Sequence, residues 1–156
     1  GYGQLHERLR DHPRVEVHER TNVRTLAPGD LGPPFDLVVA DLSFISLRTV
    51  APNLVGLAAP GADLVLLVKP QFEAGRQEAG RGRGVIRDPA VWRRVLGEVH
   101  AALRAHGAAM MGAMASPLRG ADGNVEFLIH ARTAASPAGP PPDLDAVVAE
   151  VAGTEA

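Results

Sequence analysis

Three ionisable residues stand where apolar runs of the sequence begin or end. Asp41 closes the run LVVA, Lys69 follows the run LVLLV, and Glu126 is the one acid in a later apolar segment. Lys69 is also the only lysine in the sequence, although the Lys+Arg count is 16. A lysine amine can lose its proton near neutral pH, whereas an arginine guanidinium cannot. The residue types therefore favour a site in which an amine exchanges a proton beside carboxylates.

Each of these residues also has a structural interpretation, which the sequence alone leaves open. A lysine at a strand end can extend its charged head into solvent. Asp41 can bond to its own backbone in a turn, and Glu126 can be an exposed residue at the edge of a sheet. The choice depends on whether the three side chains meet, and hence on the elements that position them.

The segments that end in Asp41 and Lys69 are predicted to form a strand–helix–strand unit. Residues 37–40 and 64–68 are short, continuous apolar runs, typical of strands buried on both faces in an α/β sheet. Asp41 and Lys69 are 28 residues apart, which leaves room for one crossover helix. Ser46 can cap that helix, Gly61 can follow its end, and its apolar face comprises Leu47, Val50, Leu54 and Leu57. A right-handed crossover makes the strands parallel, so Asp41 and Lys69 share one sheet edge.

The third residue, Glu126, is brought to the same edge by a change of strand direction. Residues 108–115 and 125–130 read as strands, and the short loop SPLRGADGN between them makes the pair antiparallel. The last strand then begins where the parallel strands end, and Glu126 lies at that beginning. The sequence predicts an α/β fold with a mostly parallel sheet, a final antiparallel strand, and Asp41, Lys69 and Glu126 at one edge.

Two further segments carry residues that could face a ligand. Residues 15–19 alternate apolar and polar side chains, which predicts a short strand that ends near Thr21 and Asn22. These two side chains either line a ligand pocket or cap the next helical turn. The segment 74–87 is rich in glycine and arginine and lacks periodicity, so residues 75–84 are predicted to be the least ordered. Its arginines either contact phosphates or belong to a solvated loop: Arg76, Arg81, Arg83 and Arg87.

Composition argues against several classes of protein and several kinds of site. The 156 residues fit a single domain, and the formal charge of −2 argues against a strongly basic nucleic-acid-binding module. The absence of cysteine excludes disulfides and cysteine chemistry, and no histidine spacing predicts a metal site. No apolar run reaches membrane-spanning length and no signal peptide is visible, which favours a cytoplasmic protein. Trp92 lies in a core-facing helix that Asp88 caps.

Several motifs in order resemble one known family. They are ERTN at 19–22, DLSFISL at 41–47, VKPQFEAGR at 68–76, VIRDPAV at 85–91 and SPLRGADGNVEFL at 116–128. The chain is similar over residues 1–131 to the TlyA/hemolysin A family of FtsJ-like ribosomal RNA 2′-O-methyltransferases. The resemblance implies a Rossmann-like fold that uses S-adenosylmethionine. It implies a partial methyltransferase domain at 1–132. Composition and apolar spacing predict a Pro-rich linker at 133–142 and a short C-terminal helix at 143–152.

The resemblance also implies roles for particular residues. Asp41, Lys69 and Glu126 match the second, third and fourth members of the family's Lys-Asp-Lys-Glu tetrad, with Lys69 as the base. The family's first lysine, its glycine-rich cofactor loop and its small RNA-binding domain are expected ahead of Gly1, so that the fold would be truncated at its N-terminus. The implied cofactor-binding residues are Thr21, Asn22, Asp41, Leu42, Ser43 and Phe44.

The implied partners are ribosomal RNA and ribosomal subunits, with the arginines of residues 74–87 facing the RNA. Two other functions stay open at this point. One is a non-catalytic protein that binds RNA or ribosomes. The other is a membrane-active hemolysin, as the family's second name suggests, but the sequence has no basic amphipathic helix of the kind that binds membranes.

Overall fold

A computed structural model describes residues 1–75, 78, 80, 82, 84–134 and 142–153. It contains a four-stranded sheet in the order β1-β2-β4-β3. The strands are β1 (Phe35–Ala40), β2 (Ala58–Val68), β3 (Ala108–Ala115) and β4 (Phe127–Thr133). The described helices are α1 (Glu7–Arg10), α2 (Leu47–Leu57), α3 (Pro70–Glu73), α4 (Pro89–Ala105) and α5 (Leu144–Ala152). Short 3₁₀ turns lie at Val23–Thr25 and Ala121–Gly123.

Strand directions agree with those predicted from the sequence. β1 and β2 are parallel, and β4 is antiparallel to both of its neighbours, β2 and β3. Three strands therefore share one direction, and β4, the last described strand, runs against them. This arrangement brings the ends of β1 and β2 and the beginning of β4 to one edge of the sheet.

The helices that connect these strands begin at the predicted caps. The Ser46 side chain accepts a hydrogen bond from the Arg48 N–H at the start of α2. Asp88 accepts from the Ala90 N–H at 2.8 Å at the start of α4. The indole of Trp92 is buried and donates to the Ile86 carbonyl oxygen at 3.0 Å, so this residue belongs to the core, as expected.

The described helices α2, α4 and α5 cover one face of the sheet. On β2, Leu64, Leu66 and Val68 are fully buried in the same core cluster as these helices. The alternate residues of the sheet point away from this core, and Leu37 and Val39 of β1 are 56% and 67% exposed. The continuous apolar run of β2 thus has one fully packed face in the described structure, rather than the two predicted.

The C-terminal helix α5 packs against α4 and β3. Asp143 caps it through hydrogen bonds from two backbone N–H groups. Its buried side chains are Leu144, Val147, Val148 and Val151. Most of the predicted Pro-rich linker, residues 135–141, lies outside the described residues.

Two local predictions were wrong. Residues 15–19 form no strand, because none of the four described strands pairs with them, and Val15 and Val17 are each 36% exposed. Gly61 does not terminate α2, because β2 begins directly at Ala58. Gly61 instead has φ +81° within β2, where the β1–β2 register shifts, and this left-handed conformation suits glycine.

Candidate functional site

Lys69 and Asp41 form an ion pair at the sheet edge. The Lys69 Nζ atom lies 2.6 Å from Oδ1 of Asp41 and donates to the Ser43 hydroxyl oxygen at 3.3 Å. The Lys69 side chain is 13% exposed, whereas that of Asp41 is 68% exposed. Lys69 therefore does not extend into solvent as a snorkelling residue would. Its amine is held by two residues of the loop that follows β1.

Glu126 reaches the same edge from the opposite strand direction. Val68 pairs with Phe127 in the β2–β4 ladder, so Lys69 and Glu126 are the next residues beyond that pair. Glu126 is 7% exposed, and the Gln71 side-chain amide donates to its Oε1 atom at 3.1 Å. The structure thus brings Asp41, Lys69 and Glu126 to one edge, as the strand topology predicted.

A buried asparagine fixes the loop that delivers Glu126. Asn124 is 2% exposed, and its Oδ1 atom accepts from the Ile86 N–H at 3.1 Å. Its Nδ2 atom donates to the Gly84 carbonyl oxygen at 3.0 Å. Asn124 lies two residues before Glu126. It therefore joins the loop before β4 to the end of the glycine- and arginine-rich segment.

A cleft of about 520 Å³ is lined by Ser43, which accepts from Lys69, and by Leu42, which follows Asp41, whereas Asp41 and Lys69 are not among its lining residues. The loops after residue 19 and after β1 both contribute to its lining, with Thr21, Asn22, Leu42, Ser43 and Phe44 among the lining residues. Asn22 has both of the roles that the sequence left open, because it lines the cleft and its Oδ1 atom caps the following turn by accepting from the Arg24 N–H at 3.1 Å.

Phe44 has an unusual backbone conformation for a residue of this cleft. Its backbone φ is +61°, a left-handed value that is rare for a bulky side chain, and the residue is 90% exposed. The Phe44 ring centroid lies 5.0 Å from that of Phe72, which follows Lys69 by three residues. The loop after β1 therefore contacts the turn after β2 through an aromatic pair as well as through the ion pair.

Of the four arginines predicted to face RNA, the structure describes only Arg87. Arg87 is exposed beside the α4 N-terminus and lines a second cleft with Val85 and Asp88. Arg76, Arg81 and Arg83 lie outside the described residues, as does part of the segment 75–84 whose order was predicted.

The comparisons with known proteins assign the chain to a family. Residues 1–133 match the model of the FtsJ-like methyltransferases. The chain belongs to the FtsJ-like methyltransferase family. Over 133 residues it is 53% identical to the 16S/23S rRNA (cytidine-2′-O)-methyltransferase TlyA of Mycobacterium tuberculosis, covering 85% of this chain and 49% of that protein. It is 47% identical over 132 residues to the putative rRNA methyltransferase YqxC of Bacillus subtilis, covering 83% and 46%.

Solved structures support the fold of this FtsJ-like chain. A putative hemolysin from Streptococcus thermophilus superposes with a TM-score of 0.87 at 36% identity, covering 99% of this chain and 56% of that one. A putative hemolysin from Lactococcus lactis gives 0.89 at 32% identity, covering 97% and 73%. The chain spans about half the length of the curated relatives it matches.

Sequence reasoning about this FtsJ-like chain missed three residues that shape the edge. Gln71 binds Glu126, Gly120 leaves room for the Glu126 carboxylate, and Glu73 is a buried acid that contacts the start of α2. Gln71 and Glu73 lie inside the VKPQFEAGR motif, which was the available signal. The motif could not show which of its polar side chains turn inward.

The described part of this FtsJ-like chain contains neither a metal-binding cluster nor a membrane-spanning helix. Among the described residues, no group of three or more histidine, aspartate or glutamate side chains could hold a metal ion. None of the described helices is both long enough and apolar enough to cross a bilayer.

Proposed function

We propose that the protein is an S-adenosylmethionine-dependent RNA methyltransferase that modifies a ribose 2′-hydroxyl of ribosomal RNA. The observation that supports this most is the Lys69 amine, paired with Asp41 at 2.6 Å and next to Glu126 beyond the β2–β4 ladder. A largely buried amine at the carboxyl edge of an α/β sheet can take a proton from a bound hydroxyl. The names of the curated relatives TlyA and YqxC agree with this substrate class.

The cleft lined by the loops after residue 19 and after β1 would hold S-adenosylmethionine. Its volume of about 520 Å³ falls within the roughly 300–1,000 Å³ of small-molecule sites. Its lining combines the Thr21 hydroxyl and the Asn22 amide with apolar Leu42 and Phe44, which suits a molecule that has both polar and flat apolar parts. Bound there, S-adenosylmethionine would supply an electrophilic methyl group.

The residues of the chain would then orient the hydroxyl and remove its proton. The Lys69 amine, which must first release the proton that pairs it with Asp41, would accept the proton of the ribose 2′-hydroxyl. Asp41 and Ser43 hold the amine at 2.6 and 3.3 Å. Glu126, fixed by Gln71, orients the hydroxyl from the other side of Lys69. Placing the reacting atoms in this way accounts for a large part of catalysis in such transfers.

The RNA would approach the edge from the side of the glycine- and arginine-rich segment. Arg87 is exposed at the end of this segment, and Arg76, Arg81 and Arg83 precede it in the sequence. We infer that these guanidinium groups contact phosphates, which positions the RNA without reading its sequence. Ribosomal subunits or their RNA would be the partner, and the reaction would take place in the cytoplasm.

The proposal is tested by incubating the protein, as its gene encodes it, with ribosomal subunits and methyl-tritiated S-adenosylmethionine. We expect tritium in the RNA, and a block to alkaline hydrolysis at the modified nucleotide, because a 2′-O-methyl group removes the hydroxyl that attacks the neighbouring phosphate. Tritium on a base, with cleavage unchanged, would contradict the proposal. Binding to subunits without incorporation would favour the non-catalytic RNA-binding alternative.

A further inference from the structure

Glu73 is a buried carboxylate that the proposed reaction does not use. The residue is 3% exposed and ends the single turn of α3, which begins directly after Lys69. Burial of a carboxylate is costly unless its oxygens are bonded, and here both are. Oε1 accepts from the Leu47 N–H at 2.6 Å, and Oε2 accepts from the Ser46 hydroxyl. The acid therefore bonds to the first residues of α2.

Arg48 reinforces the same junction. Its Nε atom lies 3.3 Å from Oε2 of Glu73, and a second guanidinium nitrogen donates to the Glu73 carbonyl oxygen at 2.7 Å. The third nitrogen binds Glu98 of α4 at 2.6 Å. One arginine thus ties the end of α3 to both α2 and α4.

These contacts are one end of a series of contacts that joins two loops. Residues 41–48 follow β1, and residues 69–73 follow β2. Asp41 and Ser43 contact Lys69 at one end, Phe44 contacts Phe72 in the middle, and Glu73 contacts residues 46–48 at the other end. Both loops are therefore joined along their whole length, and the ion pair is the end of the series at the sheet edge.

A capping role for α2 does not by itself explain Glu73. Ser46 already caps this helix by accepting from the Arg48 N–H at 3.1 Å. The Leu47 N–H is buried, and its acceptor is an acid from a different element rather than water. The distinctive consequence of Glu73 is that the backbone after Asp41 cannot move independently of the backbone after Lys69.

We propose that Glu73 is a positioning residue that sets the geometry of the Asp41–Lys69 pair. The expected effect of Glu73 on the rate of methyl transfer, the kinetic part of this inference, rests on the proposed function. Its expected effect on the geometry of the Asp41–Lys69 pair, the geometric part, does not. Breaking the Glu73 junction lets the loop after β1 shift, and the Asp41 carboxylate then leaves its place against the Lys69 amine. Displacement of reacting groups by about 1 Å can cost on the order of 10²-fold in rate.

The geometric part is tested by NMR of the protein with ¹³C-labelled lysine. Lys69 is the only lysine of the sequence, and its ¹³Cε–¹H resonance is assigned by its loss in Lys69→Arg. Asp41→Asn shows how the resonance moves when the ion pair is lost. We expect Glu73→Gln and Glu73→Ala to move it in the same direction. Glu98→Gln, which alters the more exposed partner of the same Arg48, should leave it in place.

The kinetic part is tested by methyl transfer under single-turnover conditions, at a temperature where circular dichroism shows each variant folded. We expect Glu73→Gln to lower the rate constant about 10–10²-fold, and Glu98→Gln to stay within about two-fold of the parent. If Glu73→Ala does not fold, Glu73→Gln decides the question. A folded Glu73→Gln with the parent's lysine resonance would overturn the inference. A shifted resonance in a protein whose parent transfers no methyl group would refute the proposed function and leave the positioning role standing.

Discussion

Gly120 and the carboxylate of Glu126 occupy adjoining space, with no room for a side chain at position 120. A Cβ atom built on Gly120 would overlap Oε1 of Glu126 and lie 2.7 Å from its Cδ atom. The Gly120 N–H also donates to the Asn124 carbonyl oxygen at 2.9 Å, which closes the loop before β4. The absent side chain therefore lets the carboxylate of Glu126 lie between this loop and Gln71.

Gly120→Ala is expected to displace that carboxylate. The added methyl group cannot be relieved by backbone that is hydrogen-bonded to Asn124, so Glu126 must turn away from Gln71. We expect a loss of about 1–3 kcal/mol in unfolding free energy and a fall of about 10²-fold in methyl transfer. Urea unfolding and tritium incorporation measure the two effects.

Gly97→Ala serves as the control for that substitution. Gly97 lies inside α4, where the nearest atom to an added Cβ is a guanidinium nitrogen of Arg93 at 3.3 Å, the end of a flexible side chain. Alanine is favoured over glycine in a helix by about 1 kcal/mol. If Gly120→Ala were as stable and as active as Gly97→Ala, the close packing of Gly120 against Glu126 would have no functional consequence.

Asn124→Ala is expected to destabilise the protein strongly. It leaves the buried Ile86 N–H without its acceptor and removes the donor to the Gly84 carbonyl oxygen. Unpaired buried polar groups cost about 1–3 kcal/mol each, so we expect a loss of about 2–4 kcal/mol in unfolding free energy. Chemical denaturation of the parent and the variant measures it.

Asn53→Ala makes the same chemical change at a more accessible place. The Asn53 amide donates to the carbonyl oxygens of Arg24 and Leu26 at 3.2 and 2.9 Å, close to the exposed N-terminal segment. Water can replace these bonds, so we expect a loss below about 1 kcal/mol. Equal losses in the two variants would show that burial at Asn124 does not determine the cost.

His100 is expected to make stability depend on pH. Its Nδ1 atom is buried without a hydrogen-bond partner in the described structure. Burial, and secondarily the positive charge of Arg104, lower the pKa of His100 from its usual 6.5. The folded protein therefore binds fewer protons than the unfolded chain. The stability that neutral His100 allows is fully present above about pH 6.5 and is lost as the pH falls through the lowered pKa.

His100→Gln removes this titration while keeping a polar side chain. We expect the midpoint of thermal unfolding to fall less between pH 8 and pH 5 in the variant than in the parent. Parallel pH profiles for the two proteins would mean that His100 is solvated enough to titrate normally in the folded state.

The sequence correctly predicted that Asp41 and Lys69 meet, because strand topology determines their positions. Asp41 and Lys69 follow two buried strands that one crossover helix connects, and that connection leaves one arrangement of their ends. The prediction of a strand at residues 15–19 was wrong, because an alternating pattern alone does not provide a neighbouring strand with which to pair. Glu73 and Gln71 were missed because no periodicity distinguishes an inward-facing acid or amide in a single helical turn from a solvated one.

The most direct test of the proposed chemistry is single-turnover methyl transfer to ribosomal subunits by Lys69→Arg. Arginine keeps the positive charge and can still pair with Asp41, so folding, subunit binding and cofactor binding should be retained. It cannot act as a base, because it stays protonated to above about pH 12. We expect the rate constant to fall by at least about 10²-fold, with both binding affinities unchanged. A rate constant within a few-fold of the parent would contradict the assignment of Lys69 as the proton acceptor.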